Sequence, residues 1–214
     1  MADQRDMIAQ TLKNMNLIYK DVGQIAQMVE DAMRRHGFPK MGDAAITWDT
    51  SAAYTNPSSW LYRWFARVYT KDNHLRKVVG YCIHLGNYEP PFVHEAQLQR
   101  LKQLGVAFPF VNVSLLDGIT ITKDEPKKER TDLYNCLRAA GWFDDVQKVS
   151  DHMVRGRVKS GTVSANAVTY FVDLLALNRG KAVTELLVEP MVAMFNGEIQ
   201  WVSTQNLPVI KIKM

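Results

Sequence analysis

Apolar residues recur through residues 8–33 with an alternating spacing of four and three: Ile8, Leu12, Met15, Tyr19, Val22, Ala26, Val29 and Met33. That period keeps one side of an α-helix apolar and predicts a helix over residues 3–36. Asp3 and Asp6 suit its start, and Arg34, Arg35 and His36 suit its end before Gly37. A two-stranded coiled coil would use the same seam with charges beside it. Here the flanking positions are Thr11, Ile18, Ile25 and Ala32, which widen the stripe. Packing on the chain's own core is therefore favoured over a dimer seam, with a homo-oligomer through the 8–33 helix kept as the alternative.

The period then changes to two. Trp60, Tyr62, Trp64, Ala66 and Val68 share one face of a strand, and Leu61, Arg63, Phe65, Arg67 and Tyr69 the other. After the turn-like KDNH, Val78, Gly80, Cys82 and His84 alternate with Val79, Tyr81, Ile83 and Leu85. Two such strands are stable only within a larger sheet, and both faces are apolar, so an inner hairpin covered on both sides is expected. Ala44–Asp49 and Val106–Leu116 read as further strands, the latter region running to Ile121 with a turn at Asp117-Gly118. Val93–Leu104 reads as a helix closed by Gly105.

The second half reads as mostly helical. Thr131 can cap a helix ending near Gly141, Asp144–Val154 continues as another, and Ser164 can cap Ala165–Asn178. Residues 182–195 fit either element, and Pro190 would kink or end it. Residues 199–203 and 209–214 return to strand, with Ile210, Ile212 and Met214 opposing Lys211 and Lys213 on an edge. The predicted class is α+β: a central antiparallel sheet with a long N-terminal helix and several C-terminal helices packed on it. One domain over residues 1–214 is expected, any sub-boundary falling at 121–130.

Composition narrows this little. With 214 residues, 47% apolar and 22% charged, the chain is ordinary for a globular protein and needs no disulfide or metal staple. Cys82 and Cys136, the two cysteines, lack CxxC spacing and read as reduced core thiols. The polar, acidic start argues against a signal peptide, and no apolar run approaches ~20 residues, so a cytoplasmic protein without a membrane span is expected. Lys and Arg exceed Asp and Glu by 26 to 22, an excess too small to imply nucleic acid by itself.

Candidate chemistry is sparse. The Arg63, Arg67 and aromatic face resembles, in residue type, surfaces that stack bases and hold phosphates, although those arginine stems can equally lie flat over a core. Arg155, Arg157 and Lys159 lie in RGRVKSG, a glycine-flanked basic loop that fails as a nucleotide loop because Lys159 stands between the glycines. The five histidines lack ligand spacing, so no metal and no cofactor is predicted. His152 and Asp145 would share a helix face, His84 can pair with Glu89, and Cys82 lies on the face of His84 but among apolar neighbours that leave it unreactive. There is no GxSxG elbow. The favoured reading is a non-enzymatic interaction module that takes a protein partner or small ligand, with Trp48, Tyr54 and Trp60 as first candidate contacts. The alternatives are nucleic-acid binding through Arg63, Arg67, Arg155, Arg157 and Lys159, and an enzyme whose site is assembled from distant segments.

Overall fold

Stretches rich in β-branched and aromatic residues occur in both halves of the chain, and they meet in one sheet. A computed structural model describes residues 2–41, 64–71, 75–86, 95–122, 126–141, 145–204 and 207–213. The expected strand Ala44–Asp49 and the first residues of the Trp60–Thr70 strand lie outside the described residues. In chain order the elements are α1 (Ala2–Arg35), β1 (Trp64–Tyr69), β2 (Lys77–His84), α2 (Glu95–Leu104), β3 (Phe110–Ile121) and α3 (Pro126–Ala139). They continue with β4 (Gln147–Ser150), β5 (Met153–Ser160), β6 (Val163–Asp173), α4 (Gly180–Val183), α5 (Glu189–Phe195) and α6 (Trp201–Thr204).

The six strands form an antiparallel sheet in the order β1-β2-β3-β6-β5-β4. This is the α+β architecture that the sequence predicts. Alternation along the strands sends two sets of side chains to opposite faces. One face (Ala66, Val78, Cys82, Phe110, Leu116, Ala165, Phe171) packs under α2 and α3. The other (Tyr69, Val79, Tyr81, Val111, Val113, Tyr170, Val172) packs under the C-terminal half of α1 and the helices after β6. The β1–β2 hairpin is covered on both sides, as its apolar faces require. Among the described strands, however, β1 stands at the end of the sheet, with only a Lys40–Tyr69 bridge beyond it.

The second half differs most from expectation. The described residues 145–154 of the expected helix Asp144–Val154 are not helical: they supply β4 and the start of β5, so Asp145 and His152 flank a strand and share no helix face. Arg155–Lys159 is strand, not a loop. Ala165–Asn178 is β6 followed by a 3₁₀ turn (Leu174–Ala176). Its Val168, Phe171 and Val172 fit helical spacing because a strand buried on both faces shows no period of two; the β-branched and aromatic content carried the truer signal. Residues 201–204 form a helical turn rather than strand, and the described residues of the tail meet the sheet through an isolated Val172–Val209 bridge and a bond from Ile210 N to the Phe171 carbonyl, with Ile212 buried between exposed Lys211 and Lys213. Asp117-Gly118 does not divide β3. It is a bulge, with Gly118 at φ +62°, and the strand continues past it.

Pro190 has a visible consequence. It cannot donate to the carbonyl of Leu186, and the helix widens into a π turn over Thr184–Val188 just before it. The hydroxyl of buried Tyr170 donates to that carbonyl instead, at 2.6 Å. At the β5–β6 turn, Gly161 (φ +51°) lies against the Asp132 carboxylate of α3, which accepts from Thr162 N at 2.8 Å and Thr162 Oγ1 at 2.9 Å. The hairpin tip is thereby pinned to the helix.

Helix α3 approaches the sheet closely because β2 carries Gly80 there. A Cβ at Gly80 would collide with the Arg67 carbonyl oxygen and stand 2.9 Å from Leu137 Cδ2. Gly80→Ala is expected to cost about 2–3 kcal/mol through this overpacking. Denaturant unfolding checks it, and a loss within experimental error would contradict the close approach.

Candidate functional site

Four places bring functional side chains together. The first is the seam of α1. Val22, Ile25, Ala26, Val29, Ala32 and Met33 are buried, whereas Met7, Ile8, Leu12, Leu17 and Ile18 are 47–63% exposed. One unbroken apolar pattern is therefore half core and half surface. The exposed half runs into a groove of about 520 Å³ between Ile18, Val22, Ile25 and Met28 on one side and Leu174–Val183 on the other. Asp173 builds the far wall: its carboxylate accepts from Leu175 N at 2.9 Å, capping the 3₁₀ turn that holds Leu175 72% exposed.

The second is a basic strand face. Arg155, Arg157 and Lys159 alternate outward from β5, on the sheet face opposite α3 and beyond the helices that cover its centre. Arg155 and Arg157 line an open cavity of about 490 Å³ with Gln147, Asn166, Asp117 and Asp145. Arg155 Nε donates to Gln147 Oε1 at 3.1 Å, and the Asp145 carboxylate accepts from the Arg157 backbone at 3.1 Å. The two carboxylates offset much of the positive charge there.

The third is the pairing of Arg67 with Tyr81, which face each other across β1 and β2. Arg67 does not join the basic face of β5, because three strands and the helices over them intervene. Its side chain is 11% exposed, its Nη2 lies 3.8 Å from a Glu30 carboxylate oxygen on α1, and its guanidinium carbon lies 5.3 Å from the Phe65 ring centre. Arg67 Nε and Nη1, Tyr69 Oη and Tyr81 Oη have no hydrogen-bond partner among the described residues. The two hydroxyls are close enough to perturb one another, yet they make no hydrogen bond of ordinary geometry. Burial holds both phenols protonated by pushing their pKa values up. Trp48, Tyr54, Trp60 and Arg63 lie outside the described residues, as does Glu89.

The fourth is a buried polar ladder under α3. His84 Nε2 and Asn112 Oδ1 are 2.7 Å apart, and Asn112 Nδ2 donates to the Leu137 carbonyl at 2.9 Å and to Ser114 Oγ at 3.3 Å. Ser114 and Thr169 hydroxyls are 2.8 Å apart. His84, Asn112, Ser114 and Thr169 are all fully buried. Burial drives the His84 pKa down to about 3 and pushes the Cys82 thiol up, so the ladder holds a neutral imidazole and the thiol stays protonated. A neutral donor closed off from water suits structure better than proton transfer. Among the described residues, no three His, Cys, Asp or Glu side chains gather as metal ligands, and no helix is long and apolar enough to cross a membrane.

The depressed pKa of His84 makes stability depend on pH. The unfolded chain takes up a proton as pH falls below about 6.5, whereas the folded chain resists until about 3. The stabilisation is thus fully present above 6.5 and erodes with acidification, at roughly 1.4 kcal/mol per pH unit once the unfolded histidine titrates. Unfolding free energies measured between pH 7 and 5 are expected to fall less steeply in His84→Gln than in the wild type; parallel curves would remove His84 as the source. Comparison with known proteins adds no family to this description: no family model matches the chain, and neither does any curated protein or solved structure.

Proposed function

We propose that this chain is a non-enzymatic interaction module that docks a helix along the exposed half of α1, the favoured partner being α1 of a second copy. One observation carries the reading. The seam that seals the core at Val22–Met33 continues without change of period through Ile8, Leu12 and Met15, where Ile8 and Leu12 are more than half exposed. An apolar stripe that long on water is costly unless something covers it. A helix of the same period fits it, because knobs at 3.5-residue spacing meet matching holes. The flanking Ala9, Thr11, Asn16 and Ile18 are uncharged, so two copies related by a two-fold axis would meet no like-charge cost beside the seam. A paired stretch of this length removes roughly 1,000 Å² from water, the low end for a specific interface. Together with Leu175 and Met28, the groove beside α1 widens the contact.

Sedimentation velocity at micromolar concentration is expected to give twice the chain mass. Leu12→Glu with Ile18→Glu should return it to the single-chain mass with the folded circular-dichroism spectrum retained, since both residues are exposed in one copy. A wild type that stays single throughout would dispose of self-pairing and leave the face to the helix of another protein.

A second reading rests on the exposed row Arg155, Arg157 and Lys159, which suits a nucleic-acid backbone. Arg67 does not extend this row, because three strands separate β1 from β5. Single-stranded oligonucleotide binding would then fall steeply with salt and be lost in Arg155→Gln with Arg157→Gln; salt-independent binding or none would reject it.

A further inference from the structure

We propose that Arg67, Tyr69 and Tyr81 form a buried subsite for a small oxyanion, a carboxylate or phosphate group. Four of the buried polar atoms without a partner gather at this one spot: Arg67 Nε and Nη1, and the Tyr69 and Tyr81 hydroxyls. Both tyrosines are fully buried, and Arg67 is nearly so. A protein does not ordinarily leave a cluster of donors stranded, because each carries its own desolvation cost.

The chemistry of the four atoms selects the ligand. All are N–H or O–H groups; the guanidinium can only donate, and the two neighbouring phenols, held protonated by burial, can each turn a hydroxyl toward the other or donate it to a ligand. Unoccupied guanidinium N–H groups favour an oxygen pair carrying negative charge. The local charge agrees. Glu30, the acidic group facing the cluster from α1, is held at 3.0 Å by Lys40 and lies no closer than 3.8 Å to Arg67. Lys40 and Arg67 together outweigh Glu30, leaving one positive charge to be matched. The register places the donors on one side of the sheet: Arg67 faces Tyr81 across the hairpin, and Tyr69 is two residues along the same strand face. Phe65 lies over the guanidinium and, at 6.2 Å, beside the Tyr81 ring, forming an apolar wall that would exclude water from a bound anion. These residues sit beneath the buried half of α1, away from its exposed half, so the subsite stands or falls independently of the docking surface.

The test is thermal unfolding of the full chain, titrated separately with sodium acetate and sodium phosphate against sodium chloride at matched ionic strength. A saturable rise in melting temperature is expected with one or both oxyanions; acetate alone would indicate a carboxylate site and phosphate alone a phosphate site. Tyr69→Phe with Tyr81→Phe should weaken the apparent affinity by about tenfold or more, the cost of removing donors to a charged group. Arg67→Met should abolish it. Because phosphate also stabilises proteins non-specifically, an equal rise in the tyrosine double variant would overturn the proposal. So would the absence of a saturable rise in the wild type, which would assign the four donors to trapped water. Should Arg67→Met fail to fold, the tyrosine variant, which keeps the aromatic volume, still decides the matter.

Discussion

The pairing of β3 with β6 joins the two halves of the chain, running from Phe110–Asp173 to Ile121–Val163. Through it the hairpin β1–β2 and the meander β4–β6 become one sheet of six strands. Both central strands have side chains on two faces that must leave water, so a helical layer is needed on each side. Helix α3 follows β3 directly and takes one face; the helices after β6 and the C-terminal half of α1 take the other. The two surface sites lie where those layers stop, and the two buried ones lie beneath them.

Where the layers are complete, buried polar groups find partners. The ladder from His84 to Thr169 crosses β2, β3 and β6 with partners within hydrogen-bonding reach, and α3 can lie over it because Gly80 leaves room. Tyr170 answers the carbonyl that Pro190 leaves open. Coverage of this completeness makes the Arg67, Tyr69 and Tyr81 cluster conspicuous, since it lies in the same buried layer with donors unmatched. Where coverage runs out, the sheet and α1 present surface: the basic outer row of β5 and the first half of the α1 stripe. Neither is an irregularity of sequence. Each is a regular element extending past the body that buries its remainder.

The candidate sites were legible only in fragments. Arg155, Arg157 and Lys159 stand out in the sequence as a basic cluster, but a loop between glycines and a strand with one outer face look alike until Gly156 is seen paired with Ala167. Arg67 was visible as part of an aromatic and basic face, whereas Tyr81 was not a candidate. A turn confined to KDNH would set Arg67 opposite Val78; the observed register sets it opposite Tyr81. Register of this kind depends on turn geometry and on the buried face, and single-residue slips reverse which face a side chain occupies.

Local chemistry alone determined the long first helix, the β1–β2 strand pair with two apolar faces, the glycine that closes α2 and the α+β class. These rest on period, propensity and backbone freedom, which neighbours in sequence carry. Only the tertiary structure decided that residues 147–173 are strands, that half of a uniform apolar stripe is core and half surface, and which polar groups are stranded. Burial is a property of what arrives from elsewhere in the chain. Val168, Phe171 and Val172 would satisfy a helix or a strand, and the partner strand β3 settled it by satisfying their backbone hydrogen bonds.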